Sequence, residues 1–381
     1  MVTYPEDWKC DTITNIADIT TGCRDTQDNK INGRYPFFVR SPIVERIDVA
    51  DFNCEAVLTA GDGVGTGKVF HYINGKFAAH QRVYVMSKFQ DVDGKYFYYY
   101  FSNNFGKEVE KYTAKSSVDS VRRDMIAEMQ FPYPPLPEQK EIVQVLYDFD
   151  EHIDNLTELI EKKKAIRDGA LEDLVSGSTR LDEFDGEWKN TSLGLISNIQ
   201  DGTHGSFSRM DIGFYLLSAK NVFNNQLVIT ENESKISQAD YMLITANGYP
   251  QKGDILMSCV GTIGRCCILE REDVAFQRSV AFIRSHSYNN QYLLFVLQSL
   301  NVQSQLQSAM NASAQGGVYL NALKRIELFL TTNRKEQQAI ASVLIAMDEE
   351  IESLETEKAK MMGIREGAMD DLLTGRVRLK V

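Results

Sequence analysis

The sequence predicts two tandem mixed α/β (α+β) domains, each followed by a long helix, with the two helices paired as an antiparallel coiled coil. Three observations predict this: a long internal repeat, an apolar seam of coiled-coil period inside each copy, and short β-like runs confined to the segments between. The expected bounds are 1–136 for the first domain, 137–181 for the first helix, 182–333 for the second domain and 334–381 for the second helix.

The repeat aligns Pro137 to Leu181 with Lys335 to Leu379 without a gap, at an offset of 198, and 19 of the 45 positions are identical. Glu138-Gln139 matches Glu336-Gln337, Asp150-Glu151 matches Asp348-Glu349, and Ile166-Arg167 matches Ile364-Arg365. Gly177, Arg180 and Leu181 pair with Gly375, Arg378 and Leu379. Self-similarity on this scale marks a duplicated structural unit.

Each copy reads as a helix. Ile142, Leu146, Phe149, Ile153, Leu156 and Ile160 step by 4, 3, 4, 3 and 4, and Ile340, Leu344, Met347, Ile351 and Leu354 keep the same rhythm. Such an a/d seam needs an apolar partner, and the other copy is the simplest one. Pro134-Pro135-Leu136-Pro137 marks the first start, and Asn333 with Glu336 has the spacing of a capping box. Gly177 and Gly375 stand where glycine ends a helix. Gly169 and Gly367, inside the helical stretches, are expected to permit close helix–helix approach.

The two domains mix strand-like and helical runs. Lys68 to Ile73, Arg82 to Val85, Phe214 to Leu217, Asp254 to Met257 and Val280 to Arg284 read as strands, and Tyr292 to Gln307 as one helix. Echoes link the domains: Trp8-Lys9 with Trp188-Lys189. Val64-Gly65-Thr66 recurs as Val260-Gly261-Thr262, and Gln81-Arg82 as Gln277-Arg278, both at an offset of 196.

Composition sets the limits. With 43% hydrophobic and 10% aromatic residues the chain can bury two cores, which excludes wholesale disorder. Apolar runs such as Tyr292 to Leu297 are far short of a membrane span, and Met1 to Trp8 do not form a secretory leader, so a soluble cytoplasmic protein is expected. A net charge of −12 argues against non-specific coating of nucleic acid but not against a local basic face. The six cysteines form no C-x-x-C pair and the histidines are scattered, so no zinc site is expected and the thiols read as reduced and buried. Gly61 to Lys68 misses the phosphate-loop pattern, because Asp62 falls where its first glycine belongs and Val69 where Ser or Thr belongs. Tyr133-Pro134-Pro135-Leu136 lacks the amide or carboxylate of an adenine-methylase motif. No nucleophile elbow, H-E-x-x-H or paired-carboxylate signature appears, so the chain is expected to be non-catalytic.

The whole arrangement closely resembles the specificity subunit of type I restriction-modification systems. The resemblance rests on Pro134-Pro135-Leu136-Pro137-Glu138-Gln139 leading into Ile142 and Leu146, on Asp150, Ile153, Leu156, Gly169, Leu174 and Gly177, and on the same series from Glu336 to Leu379. Asp201-Gly202-Thr203-His204 and Val260-Gly261-Thr262-Ile263-Gly264 also look like phrases of that family's target-recognition domains. The second helix departs from the pattern by lacking the proline run.

The resemblance implies a subunit whose two domains read a bipartite double-stranded DNA target, with half-sites about one helical turn (34–36 Å) apart. It further implies that the chain is monomeric within a complex of two methyltransferase (M) subunits and of restriction (R) subunits. S-adenosylmethionine, ATP and Mg would lie on those partners, with no cofactor, metal or membrane contact on this chain. Arg or Lys suits guanine, and Asn or Gln suits adenine, in the major groove. The candidates are Arg24, Lys30, Arg34, His80, Gln81 and Arg82 in the first domain. In the second they are His204, Ser206, Arg209, Lys220, Asn221, Gln277 and Arg278. Gln81-Arg82 and Gln277-Arg278, present in both copies, fit a structural or phosphate-gripping role as well. Two other readings stay open: a separate specificity subunit of a type II enzyme with a fused nuclease–methylase partner, and a coiled-coil adaptor that does not bind DNA.

Overall fold

The computed structural model describes residues 4–113, 120–313 and 316–380. The first domain runs β1 (Lys9–Thr12), α1 (Ile13–Ile16), β2 (Asp18–Thr21), β3 (Tyr35–Phe38), β4 (Glu45–Ile47), β5 (Phe52–Ala60), β6 (Phe70–Ala79), β7 (Val83–Ser87), α2 (Gly94–Thr113), α3 (Arg123–Ala127) and β8 (Gln130–Tyr133), then enters α4 (Leu136–Ser176). The second runs β9 (Trp188–Ser192), α5 (Leu193–Ile196), β10 (Ser197–Asp201), β11 (Phe214–Leu217), β12 (Val222–Phe223), β13 (Gln226–Leu227), β14 (Lys235–Ile236), α6 (Gln238–Thr245), β15 (Ile255–Ser258), β16 (Cys266–Ile268), β17 (Val274–Phe276) and β18 (Val280–Ser285). It continues through α7 (Asn290–Gln298), α8 (Leu300–Asn311), α9 (Leu320–Lys324) and β19 (Glu327–Thr331) into α10 (Arg334–Leu372).

One topology is used twice. In the first domain the sheet order is β2-β7-β5-β6-β3-β4, with β3 parallel to β6 and the other pairs antiparallel. In the second, β10-β18-β15-β16 and β14-β11-β17 repeat this order, because the long strand β6 is split into β16 and β17. A separate antiparallel pair, β1 with β8 and β9 with β19, leads into each long helix. The run Tyr292 to Gln307 is two helices rather than one. Ser299 leaves helical geometry (φ −63°, ψ 152°) and its side chain caps α8 at Val302.

The chain forms two compact units, Met1–Thr157 with Thr356–Val381, and Glu158–Glu355. These units cut across both long helices, whereas the sequence sets each helix apart as its own segment. The cause is that the start of each helix packs with its own domain and with the end of the other helix. In the first unit Ile142 and Leu146 share a core with Phe97, Phe101 and Phe131 and with Met369, Leu372 and Leu373. In the second, Ile340 and Leu344 share one with Tyr292, Phe295 and Leu297 and with Leu171, Leu174 and Val175. Each such side chain withdrawn from water contributes roughly 1.5–3 kcal/mol. Leu156, Ile160 and Ile351 are buried, while Phe149, Ile153, Met347 and Leu354 are half-buried.

Ion pairs fix the sense of the helix pairing within each unit. Arg378 forks onto Glu138 at 2.6 and 2.7 Å, and Arg365 reaches Asp150 at 2.5 Å. Arg180 forks onto Glu336 at 2.9 Å through both nitrogens, and Arg167 reaches Asp348 at 2.8 Å. Rising numbers on one helix meet falling numbers on the other, so the pairing is antiparallel in both units. The residues involved are identities of the repeat.

Several expectations are corrected. Gly169 and Gly367 are exposed, and a Cβ on either would meet nothing within 4 Å, so no close approach requires them. Asn333 caps α10 by accepting from Lys335 N at 2.9 Å, but Glu336 does not return the bond, because its carboxylate is held by Arg180 and Thr331. Gly177 and Gly375 do end the helices in left-handed geometry, at φ 72° and 71°. Of the cysteines, Cys259, Cys266 and Cys267 are buried, and burial pushes the Cys259 and Cys267 thiols up to about 12. Cys10 and Cys23 are exposed and Cys54 half-buried. Among the described residues, no helix is long and apolar enough to cross a membrane.

Candidate nucleic-acid interface

Both domains build the same loop frame at one end of the sheet. In the first, the chain leaves β2 through Gly22, where a Cβ would lie 2.0 Å from the Ala79 carbonyl oxygen. Gly22 N donates to Val83 O at 3.1 Å, and Cys23 N and Arg24 N both donate to Ala79 O at 3.2 Å. The β6–β7 turn is held by His80 N to Phe38 O (2.9 Å), Gln81 N to Arg24 O (2.8 Å) and Val83 N to His80 O (2.9 Å). Arg82 O accepts from Gly61 N at 2.8 Å, and Gly61 O from Val121 N at 2.7 Å.

The second domain repeats these bonds. Gly202 stands 2.2 Å, by its absent Cβ, from Phe276 O, and its N donates to Val280 O at 3.0 Å. Gln277 N meets Leu217 O (2.8 Å), Arg278 N meets Thr203 O (3.0 Å) and Val280 N meets Gln277 O (3.1 Å). Cys259 N donates to Ser279 O at 2.8 Å, and Val318 N to Cys259 O at 2.9 Å.

This bonding corrects the echoes read from the sequence. His80, Gln81 and Arg82 are equivalent to Gln277, Arg278 and Ser279, an offset of 197. Gly61, Asp62 and Gly63 are equivalent to Cys259, Val260 and Gly261, an offset of 198. Gly63 and Gly261 adopt φ 77° and 79°, and the closing glycines Gly67 and Gly264 adopt 65° and 86°, with one residue fewer between them in the second domain. The repeated letters Val-Gly-Thr and Gln-Arg therefore occupy non-equivalent positions. The backbone frame is what the domains share; the exposed side chains on it differ.

In the first domain, Asp62 accepts from Arg40 Nη1 at 2.8 Å and from Arg82 Nη1. Burial works against ionisation of Asp62, but the bonds from Arg40 and Arg82 outweigh it and hold the carboxyl below its ordinary range. Arg24 forks onto Asp51 at 2.8 and 2.5 Å, Lys30 pairs with Asp48 at 2.8 Å, and Arg34 lies over the Tyr35 ring at 5.7 Å. Gln81 is exposed on the turn and reaches Asp25 at 3.3 Å. His80 is buried, with Nδ1 accepting from Arg82 N at 3.0 Å, so it shapes the turn and is removed from direct base readout. Burial, reinforced by Arg40, lowers its pKa.

In the second domain, Gln277 and Arg278 are exposed on the equivalent turn. His204 is exposed, with Nε2 3.0 Å from Asp201, and Ser206 and Arg209 are exposed on the same loop. Lys220 is exposed and pairs with Glu233 at 2.9 Å. Asn221 is buried, with its amide spent on Ser218 N, Val228 O and Glu233, and it too is removed as a base reader. Arg40 and Asp62 lie outside the residues that the sequence singles out. The one signal was the placement of each: Asp62 in a glycine-rich loop and Arg40 just past an apolar strand.

One backbone frame carrying two different sets of exposed polar side chains defines a two-site recognition protein. The family model for the type I restriction modification DNA specificity domain matches residues 5–165 and again 186–361. The chain belongs to this family; it is a non-catalytic type I specificity subunit with two target-recognition domains. It is 26% identical to the MjaVIII type I restriction enzyme specificity subunit of Methanocaldococcus jannaschii, across 99% of this chain and 94% of that one. It is 29% identical to the EcoDI specificity subunit of Escherichia coli, across 42% of this chain and 34% of that one. The fold is similar to the crystal structure of a type I S subunit from M. genitalium, with a TM-score of 0.63 at 18% identity over 96% of both chains. It is also similar to a chain from a study of type I complex assembly, with a TM-score of 0.58 at 14% identity over 98% of this chain.

Proposed function

We propose that the chain reads a bipartite double-stranded DNA target, one half through each recognition domain. The observation that carries this reading is the shared loop frame with divergent exposed side chains. A common frame sets a common approach to the duplex, and different side chains on it read different bases. The paired helices hold the two readers and offer their exposed faces to two M subunits, with R subunits joining that assembly in the cytoplasm. The chain is a monomer within the complex. Methyl transfer from S-adenosylmethionine, and Mg-dependent ATP hydrolysis with cleavage, then belong to the partners. The test is selection from a random duplex pool by the chain co-purified with the methyltransferase encoded beside it. Two short enriched blocks around an unread gap of fixed length are expected; no enrichment at low salt, with the partner present, refutes the reading.

A further inference from the structure

Asp62 sits at the centre of a cluster that has no counterpart among the described residues of the second domain. Its carboxylate, 15% exposed, is planted between Arg40 and Arg82, whereas the Arg82 side chain is 62% exposed. Among the described residues only Arg82 Nη1 is engaged, which leaves Nε and Nη2 without an acceptor. An arginine restrained through one corner of its guanidinium keeps two adjacent N–H groups in a fixed fork, the shape that matches the N7 and O6 acceptors of guanine.

The comparison between the domains separates base reading from phosphate gripping. Phosphate contacts set register and are needed whatever the sequence, so both domains should keep them. At this cluster they do not. Arg40, two residues beyond β3, is replaced by Ala219, two residues beyond β11; Asp62 is replaced by Val260 and Arg82 by Ser279, while the surrounding backbone bonds are retained. A carboxylate in the cluster also disfavours a phosphate neighbour, because it would stand close to a second anion. Side chains that change while their frame stays constant are where two readers of different half-sites must differ.

We propose that Arg82, oriented by Asp62 together with Arg40, is the guanine-reading side chain of the first recognition domain. Its free fork takes N7 and O6 of one guanine in the major groove. Asp62 and Arg40 are positioning residues, and the second domain, with Ala219, Val260 and Ser279, does not make this contact. The assignment rests on the DNA-reading function proposed above.

The experiment is random-pool selection and salt-dependent binding by the complex assembled with the methyltransferase, comparing wild type, Arg82→Ala and Asp62→Asn. Arg82→Ala is expected to equalise the four bases at one guanine position in one half of the motif. Affinity for the guanine-containing duplex should fall about tenfold or more, with the other half and the gap unchanged. Asp62→Asn retains hydrogen-bonding capacity but removes the anchoring charge. It should relax discrimination at the same position without lowering overall affinity. If Arg82→Ala instead weakens all duplexes alike and reduces the salt slope by about one, Arg82 holds a phosphate and the assignment is overturned. A motif left intact by Arg82→Ala also overturns it. A wild-type complex that enriches no motif overturns the DNA-reading function itself, and this assignment with it. Tryptophan-fluorescence melting of both variants verifies that each is folded.

Discussion

Removing Arg180 tests how the end of one long helix is tied to the start of the other in the second unit. Glu336 is 1% exposed and its carboxylate is satisfied by the Arg180 fork at 2.9 Å and by the Thr331 hydroxyl. Arg180→Ala leaves a buried carboxylate with one neutral donor. Breaking a buried pair from one side costs about 3–5 kcal/mol, and the 28% exposure of Arg180 puts the expected loss near the lower end, about 3 kcal/mol. Neutralising the orphan should recover much of this: Arg180→Ala with Glu336→Gln is expected to be about 1–2 kcal/mol more stable than Arg180→Ala alone. The sequence contains two tryptophans, and Trp188 packs against Phe329, with ring centres 5.4 Å apart, in the affected unit. In a Trp8→Phe background, urea melting followed by Trp188 fluorescence therefore reports on this unit. A single-variant loss below 0.5 kcal/mol, or strictly additive effects in the double-mutant cycle, would refute the reasoning.

Four further outcomes are expected. Gly22→Ala should destabilise the first unit by about 2 kcal/mol or more in Trp8-monitored melts, because its Cβ meets a backbone carbonyl that has no room to retreat. Gly169→Ala and Gly367→Ala should each stabilise the chain by about 0.5–1 kcal/mol by calorimetry, since both sites are helical, exposed and open. His71 and His80 have imidazole pKa values lowered chiefly by burial, so the unfolded chain binds protons that the folded chain does not. Their contribution is then full above about pH 6.5 and is lost as the pH falls through the folded values; melts between pH 7.5 and 5.5 should show a drop that His71→Gln reduces. Arg209→Glu, at an exposed position on the His204 loop, should weaken DNA binding in gel-shift titrations while leaving co-purification with the methyltransferase unchanged.

The helices were the most legible part of the sequence because one physical rule, an apolar residue every 3.5 positions, acts along their whole length. The repeat also marked Glu138, Asp150, Arg167 and Arg180 with their counterparts, but gave them no role. Their pairing becomes visible only when the ends of two helices distant in sequence are brought together. Strands were legible where aromatic and aliphatic residues clustered between turn signals, as at Phe214–Leu217. The break at Ser299 was hidden because a serine inside an apolar helical run carries no strong stop signal. The recognition surface was the least legible. A loop shortened by one residue shifts the register, and short letter matches then suggest equivalences that the hydrogen bonds do not support. Arg82 and Gln81 were found by residue type alone, whereas Arg40 and Asp62 depend on a meeting of loops 22 residues apart.

The most direct test of two independent readers on one frame is parallel random-pool selection by three complexes: wild type, Arg82→Ala, and Gln277→Ala with Arg278→Ala. An arrangement of two independent readers requires each variant to alter one half of the motif, a different half for each, with the gap length unchanged. Changes that spread across both halves, or that fall in the same half for both variants, would contradict it.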